Sequence, residues 1–102
     1  MFRNRLELQA LLEDILGSKS VYFQPPENAQ LSYPAIVYKL SGVDNEHADN
    51  TVYIQFTSYD VIVVDYKPNS EIASKISKLP MCRFNQHYVA NNLNHFSFTL
   101  FY

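Results

Sequence analysis

Residues 79–102 decide the fold of this chain, and they read LPMCRFNQHYVANNLNHFSFTLFY. Pro80 ends a preceding helical pattern, and residues 81–88 and 93–102 each have the composition of a strand. Ala90-Asn91-Asn92 lies between them, and asparagine tolerates the positive φ angles that tight hairpin turns require. The stretch therefore predicts a terminal β-hairpin.

The second strand of this hairpin is aromatic and alternating. Phe96, Phe98 and Leu100 share one parity, which predicts one apolar face. The sequence ends on Phe101-Tyr102 without a polar tail. A small domain has limited room to bury such rings, each of which carries ~150–250 Å² of surface. We therefore expect the last two residues to contact a neighbouring subunit.

Five further elements precede the hairpin in the sequence. Apolar residues at helical spacing predict an amphipathic helix over residues 2–17 with Gly17 as its C-cap. The next elements are strands over residues 21–23, 35–41 and 51–66 and a second helix that begins at residues 68–71 and ends before Pro80. The order α-β-β-β-α-β-β predicts one α+β domain over residues 1–102, a mostly antiparallel sheet with two helices packed on it.

The extended run from Thr51 to Tyr66 is too long for an ordinary strand. At ~3.3 Å per residue it exceeds roughly 45 Å, and its apolar alternation changes phase near Thr57-Ser58, which predicts a bulge or bend there. The part after this point is apolar on both faces, as expected for a central strand. Strands 35–41 and 51–64 should pair as a long hairpin arm whose tip, near Asp44 to Asn50 in the polar connection 42–50, leaves the body of the domain.

Composition limits the classes of function. The net charge of −2 and the pI near 5.8 argue against a protein that grips nucleic acid through a basic face, but they allow one that surrounds DNA. The single Cys82 cannot form an intrachain disulfide, which suits assembly in the cytosol. The N-terminus does not resemble a secretion signal, and no apolar run approaches the ~20 residues that span a bilayer.

No residue pattern in the sequence is typical of a catalytic or metal site. His87 and His95 on paired strands could approach each other, but structural zinc needs four ligands and Cys82 lies well down the strand. Cys82 lacks the local features of a nucleophile and is best explained as a small apolar residue. His47 is expected to be solvated. We predict no catalytic residue, no metal and no cofactor.

Acidic residues and glycines offer equally little chemistry. Asp44, Glu46 and Asp49 lack the spacing of a calcium loop, so a solvated tip or an inter-subunit charge contact is the simpler interpretation. The two glycines form no phosphate-binding loop. Asp60 and Asp65 flank the central strand, and a paired-carboxylate site stays open as an alternative. Asp65 lies at a strand end before a turn, so contact with solvent or capping of a helix is its simpler role.

Nine apolar residues are predicted to form the core, because they recur at the spacing of buried helix and strand faces. They are Leu12, Ile15, Ile36, Val61, Val63, Ile72, Ile76, Phe96 and Phe98.

Several segments resemble a known family when taken in order. They are Tyr33-Pro34-Ala35-Ile36-Val37-Tyr38, Ala48-Asp49-Asn50, Tyr59-Asp60-Val61-Ile62-Val63-Val64-Asp65 with Pro68-Asn69-Ser70, Leu79-Pro80-Met81-Cys82-Arg83-Phe84 and Asn91-Asn92-Leu93-Asn94-His95 with the closing aromatic strand. Over residues 30–102 the chain resembles the tail-terminator and head–tail connector (tail completion) proteins of long-tailed, siphovirus-type bacteriophages. Members often have Asp-Asn-Leu-Asn-His at the turn, where this chain has Asn91.

This resemblance implies a non-enzymatic structural protein of the virion neck, assembled in the host cytoplasm. Such a protein forms a homo-oligomeric ring, hexameric in the family, that ends the tail tube and contacts the head connector or stopper protein. DNA passes through the lumen without specific binding, and no membrane is involved. The candidate interface residues are Asp44, Asn45, Glu46, His47, Asp49, Asn50, Asn94, His95, Phe101 and Tyr102.

Two alternatives stay open beside the terminator ring. A head-completion adaptor of the same neck would differ in the ring that it contacts, and a small ligand-binding or enzymatic α+β domain would need a deep pocket with convergent polar groups. Asn94 and His95 also have two interpretations. They either bond local groups near the turn or contact the next subunit.

Overall fold

The structure is a computed structural model that describes residues 5–48 and 51–101. Its helices and strands follow one another in the predicted order. The elements are α1 (Arg5–Leu16), β1 (Val21–Phe23), β2 (Ala35–Ala48), β3 (Thr51–Asp65), α2 (Glu71–Ser77), β4 (Cys82–Ala90) and β5 (Leu93–Phe101). The α+β class with a mostly antiparallel sheet is thereby confirmed. No helix within residues 5–48 and 51–101 is long and apolar enough to cross a membrane.

The five strands form one sheet in the order β1-β2-β3-β5-β4. Only β1 and β2 run parallel, and the other three neighbouring pairs are antiparallel. β3 occupies the centre, as its apolar residues on both faces predicted. β4 lies at one edge, where half of its backbone N–H and C=O groups have no strand to pair with in the described part of the chain.

Each helix ends or begins at a residue suited to that place. Gly17, directly after α1, has φ +81° and its N–H donates to the Glu13 carbonyl at 2.8 Å, as expected for a glycine C-cap. Ser70 caps the N-terminus of α2, and its Oγ accepts a hydrogen bond from the Ala73 N–H at 3.2 Å.

The β4–β5 hairpin closes through a two-residue turn. Ala90 pairs with Leu93, and the two residues between them, Asn91 and Asn92, have φ angles of 54° and 63°. Positive φ at both central positions is the geometry of a type I′ turn, which follows the natural twist of the strands. The predicted role of these asparagines is confirmed.

Both helices pack on one face of the sheet, and the core lies between them and the sheet. Six of the nine predicted core residues are buried, whereas Ile15, Ile72 and Phe96 are only partly buried and pack against the core from its margin. The buried apolar residues of this cluster are Leu8, Leu12, Val21, Ile36, Tyr38, Tyr59, Val61, Val63, Ala73, Ile76, Phe98 and Leu100.

A buried tyrosine joins α1 to the sheet. The Tyr38 side chain is fully buried, its hydroxyl donates to Gln9 Oε1 and it accepts from Arg5 Nη1 at 3.1 Å. Gln9 Nε2 also donates to the Val21 carbonyl at 3.0 Å, and the Arg5 guanidinium lies 4.4 Å from the centre of the Phe23 ring. Because a buried hydroxyl without a partner is costly, this network fixes the position of α1 on the sheet.

The prediction of a polar loop over residues 42–50 is wrong for residues 42–48, which continue β2. Pairing with β3 outweighs the low strand propensity of its Gly, Asp and Asn residues. A bulge does occur near the predicted position, but it lies in β2 and not in β3. Leu40 pairs with Tyr59 and Gly42 pairs with Ser58, so Ser41 has no partner in β3.

Candidate assembly surfaces

The β2–β3 hairpin extends beyond the rest of the sheet. β5 pairs with β3 only from Ser58 onward, whereas β2 pairs with β3 down to Ala48 and Thr51. We call residues 42–48 and 51–57 the arm. At ~3.3 Å per residue it is about 23 Å long, and the chain measures 51 × 23 × 23 Å. Within the described residues, the strands of the arm pair only with each other.

Four of the predicted interface residues, Asp44, Asn45, Glu46 and His47, lie in the β2 strand of this arm. Asp49 and Asn50 fall outside the described residues, as does Tyr102. Phe101 is the last residue of β5 and is partly buried, and its N–H donates to the Met81 carbonyl at 3.1 Å.

Asn94 and His95 lie on β5, directly after the turn, and both have partners within the chain. Asn94 Nδ2 donates to the Tyr66 carbonyl at 3.2 Å, and Asn94 Oδ1 lies 2.9 Å from His87 Nε2. The His95 ring stacks on Tyr88 with centroids 4.8 Å apart, and its Nδ1 lies 3.0 Å from the Leu93 carbonyl. These contacts favour the local, stabilising role of the two residues.

The histidines of the hairpin do not meet. His87 packs against Phe96 with ring centroids 4.8 Å apart, whereas His95 stacks on Tyr88. Because successive strand residues point to opposite faces, the two imidazoles lie on opposite sides of the hairpin. Among the described residues, no group of three or more His, Cys, Asp or Glu side chains could hold a metal ion.

The side chains of Asp60 and Asp65 are also far from each other. They are five residues apart on β3, which corresponds to roughly 16 Å and to opposite faces of the strand. Asp65 is buried, and its Oδ1 accepts from the Lys67 N–H at 3.2 Å. This pair does not have the geometry of a shared carboxylate site.

Cys82 is half-buried at the start of β4. Burial raises the pKa of its thiol above the ordinary value of 9.0, because the charged thiolate loses hydration there. A raised pKa reduces the fraction of the nucleophilic thiolate at neutral pH. The environment of Cys82 is that of a packing residue, as the sequence predicted.

The β4 edge carries a concentration of exposed apolar side chains that the sequence analysis missed. Met81 is 55% exposed, Phe84 51% and Val89 63%, and Tyr88 is also exposed. We call these four residues the edge patch. A possible signal was present in the sequence, since apolar residues occur at both parities of residues 81–89, but only the sheet order shows that this strand is at an edge.

An open groove adjoins the edge patch between α2 and β4. It has a volume of about 450 Å³, and its floor consists of the aromatic rings of Phe84, Phe96 and Phe98. The Phe84 ring contacts the Phe98 ring, with centroids 5.5 Å apart. The α2 side presents small residues, Ser70, Ala73, Ser74 and Ser77, together with Pro68 and Asn69. Among residues 5–48 and 51–101, no ionisable side chain lines the groove, which therefore suits an apolar occupant.

Charge is distributed unevenly along the sequence. The segment 40–66 contains no Lys or Arg and carries the acidic residues Asp44, Glu46, Asp49, Asp60 and Asp65. Residues 72–102 contain no Asp or Glu and carry the basic residues Lys75, Lys78 and Arg83. The arm is therefore acidic. α2 itself begins with the acidic Glu71 and contains the basic Lys75, whereas the segment after it, with Lys78 and Arg83, is basic.

No protein-family model matches the sequence, and no curated protein sequence is similar to it.

Proposed function

We propose that this protein is a structural subunit of the virion neck of a long-tailed bacteriophage, where it forms a ring that ends the tail tube and joins it to the head connector. The observation that carries the proposal is the arm, a hairpin of about 23 Å that projects beyond the sheet. Because no further strand pairs with the arm among the described residues, the arm is suited to contact a neighbour. A closed ring needs such a heterologous contact.

The sequence resemblance over residues 30–102 supports the same function. Most of the segments that carry it lie in β2, β3 and the β4–β5 hairpin, which belong to one sheet, and Pro68-Asn69-Ser70 directly precede α2. The mildly acidic chain also suits a lumen through which DNA slides without sticking, because strong retention of DNA depends on contacts from Lys and Arg to phosphates.

The experiment shortens the arm and leaves the body of the domain intact. Val43 pairs with Thr57, so residues 44–56 can be replaced by Asn-Gly, a two-residue turn suited to that pair. We expect the wild-type chain to form rings, alone or on purified tail tubes, in negative-stain electron microscopy and mass photometry. The shortened variant should keep a cooperative melting transition and form no rings.

A matched control changes a loop outside the arm. Residues 27–30 lie in the connection between β1 and β2, and replacing them with Gly and Ser should leave both folding and rings unchanged. Unaltered rings from the shortened variant would show that the arm has no part in assembly. A wild-type chain that stays monomeric alone and with tail tubes would refute the neck function.

A head-completion adaptor of the same neck is the second candidate within this class. Rings that bind purified head connectors but not tail tubes would favour the adaptor. The groove between α2 and β4 is the one observation that favours a ligand-binding domain, and a small apolar ligand that raises the melting temperature without affecting rings would support that function.

A further inference from the structure

The β4 edge and the arm carry opposite charges, and in the described part of the chain neither has a further strand to pair with. The arm carries acidic residues, and among the described residues its two strands pair only with each other. The outer side of β4 has no strand to pair with in the part of the chain that the structure describes, and exposed apolar and basic side chains lie around it. From this complementarity we infer that the arm of one copy of this chain docks on the β4 edge and the adjoining groove of a second copy.

The basic residues flank the edge from both sides. Lys75 is on α2 and Lys78 directly follows it, and this helix packs on the same sheet face as Phe84. Arg83 pairs with Thr99 and precedes Phe84, so it lies on the opposite face of β4. All three side chains are exposed. An acidic segment that approaches this edge meets positive charge on either face.

The contact is made chiefly by side chains. β4 has a bulge between Phe84 and Gln86, where Asn85 is left out of the pairing with β5. The bulge divides the free edge into two short parts, which prevents one continuous backbone ladder with another chain. The groove and the edge patch therefore provide most of the contact area, and the exposed ring of Phe84 is at its centre.

The occupant is a second copy because the two surfaces are far apart on one chain. β4 and the arm are separated by β5 in the sheet, and the arm projects beyond the last β5 pair, Ser58 with Phe101. An arm cannot reach its own β4 edge without breaking the β2–β3 pairing. The contact is heterologous, so repeated around an axis it generates a ring. This inference rests on the proposed ring function and names the surface that receives the arm.

A charge exchange tests the contact. Lys78→Glu with Arg83→Glu makes the edge acidic, and Asp44→Lys with Glu46→Lys makes the arm basic. Each pair of substitutions alone should lower the yield of rings at least ten-fold. The chain that carries all four should form rings again, and so should an equimolar mixture of the two variants, in which unlike copies alternate. Lys19→Glu with Glu27→Lys exchanges exposed charges elsewhere and should leave the ring yield unchanged.

Cross-linking provides a measurement that does not require rings. In a Cys82→Ala background, Asn45→Cys places one thiol in the arm and Gln86→Cys another at the β4 edge. A short bismaleimide should join these positions between chains and give a ladder of oligomers. The matched pair Asn45→Cys and Lys19→Cys should give no ladder above that of Asn45→Cys alone.

The outcomes separate this inference from the proposed function. The inference would be wrong if the Lys78→Glu, Arg83→Glu variant forms rings at the wild-type yield and no cross-link joins the arm to the β4 edge. The proposed neck function would remain. If the edge variant forms rings that no longer bind tail tubes, the β4 edge receives the tube protein instead, and the inference is again wrong. A wild-type chain without rings refutes the neck function, and cross-linking alone then decides whether arm and edge meet.

Discussion

At the scale of single residues, Asn94 shows how a conspicuous turn sequence can serve stability. Its amide connects β5 to the end of β3 through the Tyr66 carbonyl and to β4 through His87. The neighbouring His95 covers Tyr88 with a ring separation of 4.8 Å. Both side chains are therefore occupied by contacts within the chain, whatever other surface lies near them.

We expect Asn94→Ala to lower the free energy of unfolding by about 1–2 kcal/mol, because it removes hydrogen bonds that each contribute roughly 1 kcal/mol. Urea denaturation of the purified chain measures this loss. Any decrease in ring formation should then match the loss of stability, and His95→Ala should behave in the same way. A variant that melts normally but fails to form rings would show instead that these residues contact another subunit.

At the scale of elements, the register of β5 decides which aromatic residues stabilise the fold. Phe98 pairs with Val61 and is buried between the sheet and the helices, whereas Phe96 pairs with Val63 and is only partly buried in the floor of the groove. The sequence predicted that both rings would be core residues. It could not show that Phe96 lies at the margin of the core, in an open groove between α2 and β4.

Phe98→Ala should therefore cost about 3–5 kcal/mol, the usual loss for a buried aromatic ring, and Phe96→Ala should cost clearly less. Thermal and urea unfolding of the two variants give the comparison. Since a one-residue shift in register would move both rings to the other face, a stable Phe98→Ala variant would show that the register of β5 is wrong.

The elements themselves were predictable, because their signals are local. Gly17, Ser70 and the Asn91-Asn92 pair each mark an end or a turn that the structure contains. The continuation of β2 through residues 42–48 was not predictable, since Gly42, Asp44 and Asn45 individually disfavour strands and are held there by pairing with β3. The sheet order depends on contacts between distant residues, so the edge position of β4 and the groove beside it were invisible to sequence patterns.

At the scale of the whole molecule, burial of ionisable groups links stability to alkaline pH. Burial raises the pKa of the Tyr59 phenol above its ordinary value of 10.0, with a smaller contribution from the neighbouring Tyr38, and burial raises that of the Cys82 thiol above 9.0. The folded chain holds both protons more tightly than the unfolded chain. The stability is therefore complete below about pH 9 and declines as the pH rises through the raised values.

We expect urea unfolding to show a decrease in stability above about pH 9 that is smaller in the Tyr59→Phe, Cys82→Ala double variant. Tyr66→Phe is the matched control, because it removes the hydroxyl of a tyrosine that is 63% exposed. If the double variant and the wild-type chain decline in parallel, the alkaline loss of stability originates elsewhere.

The arm also has a consequence for the rate of folding. Its strands are joined near Ala48 and Thr51, so every pair that it adds joins residues close in sequence. The slow step for such a topology is the closure of the long loop that brings β5 beside β3. A longer or shorter arm leaves that loop unchanged. The reach of this protein towards a neighbour can thus vary during evolution while the folding time of its body stays the same.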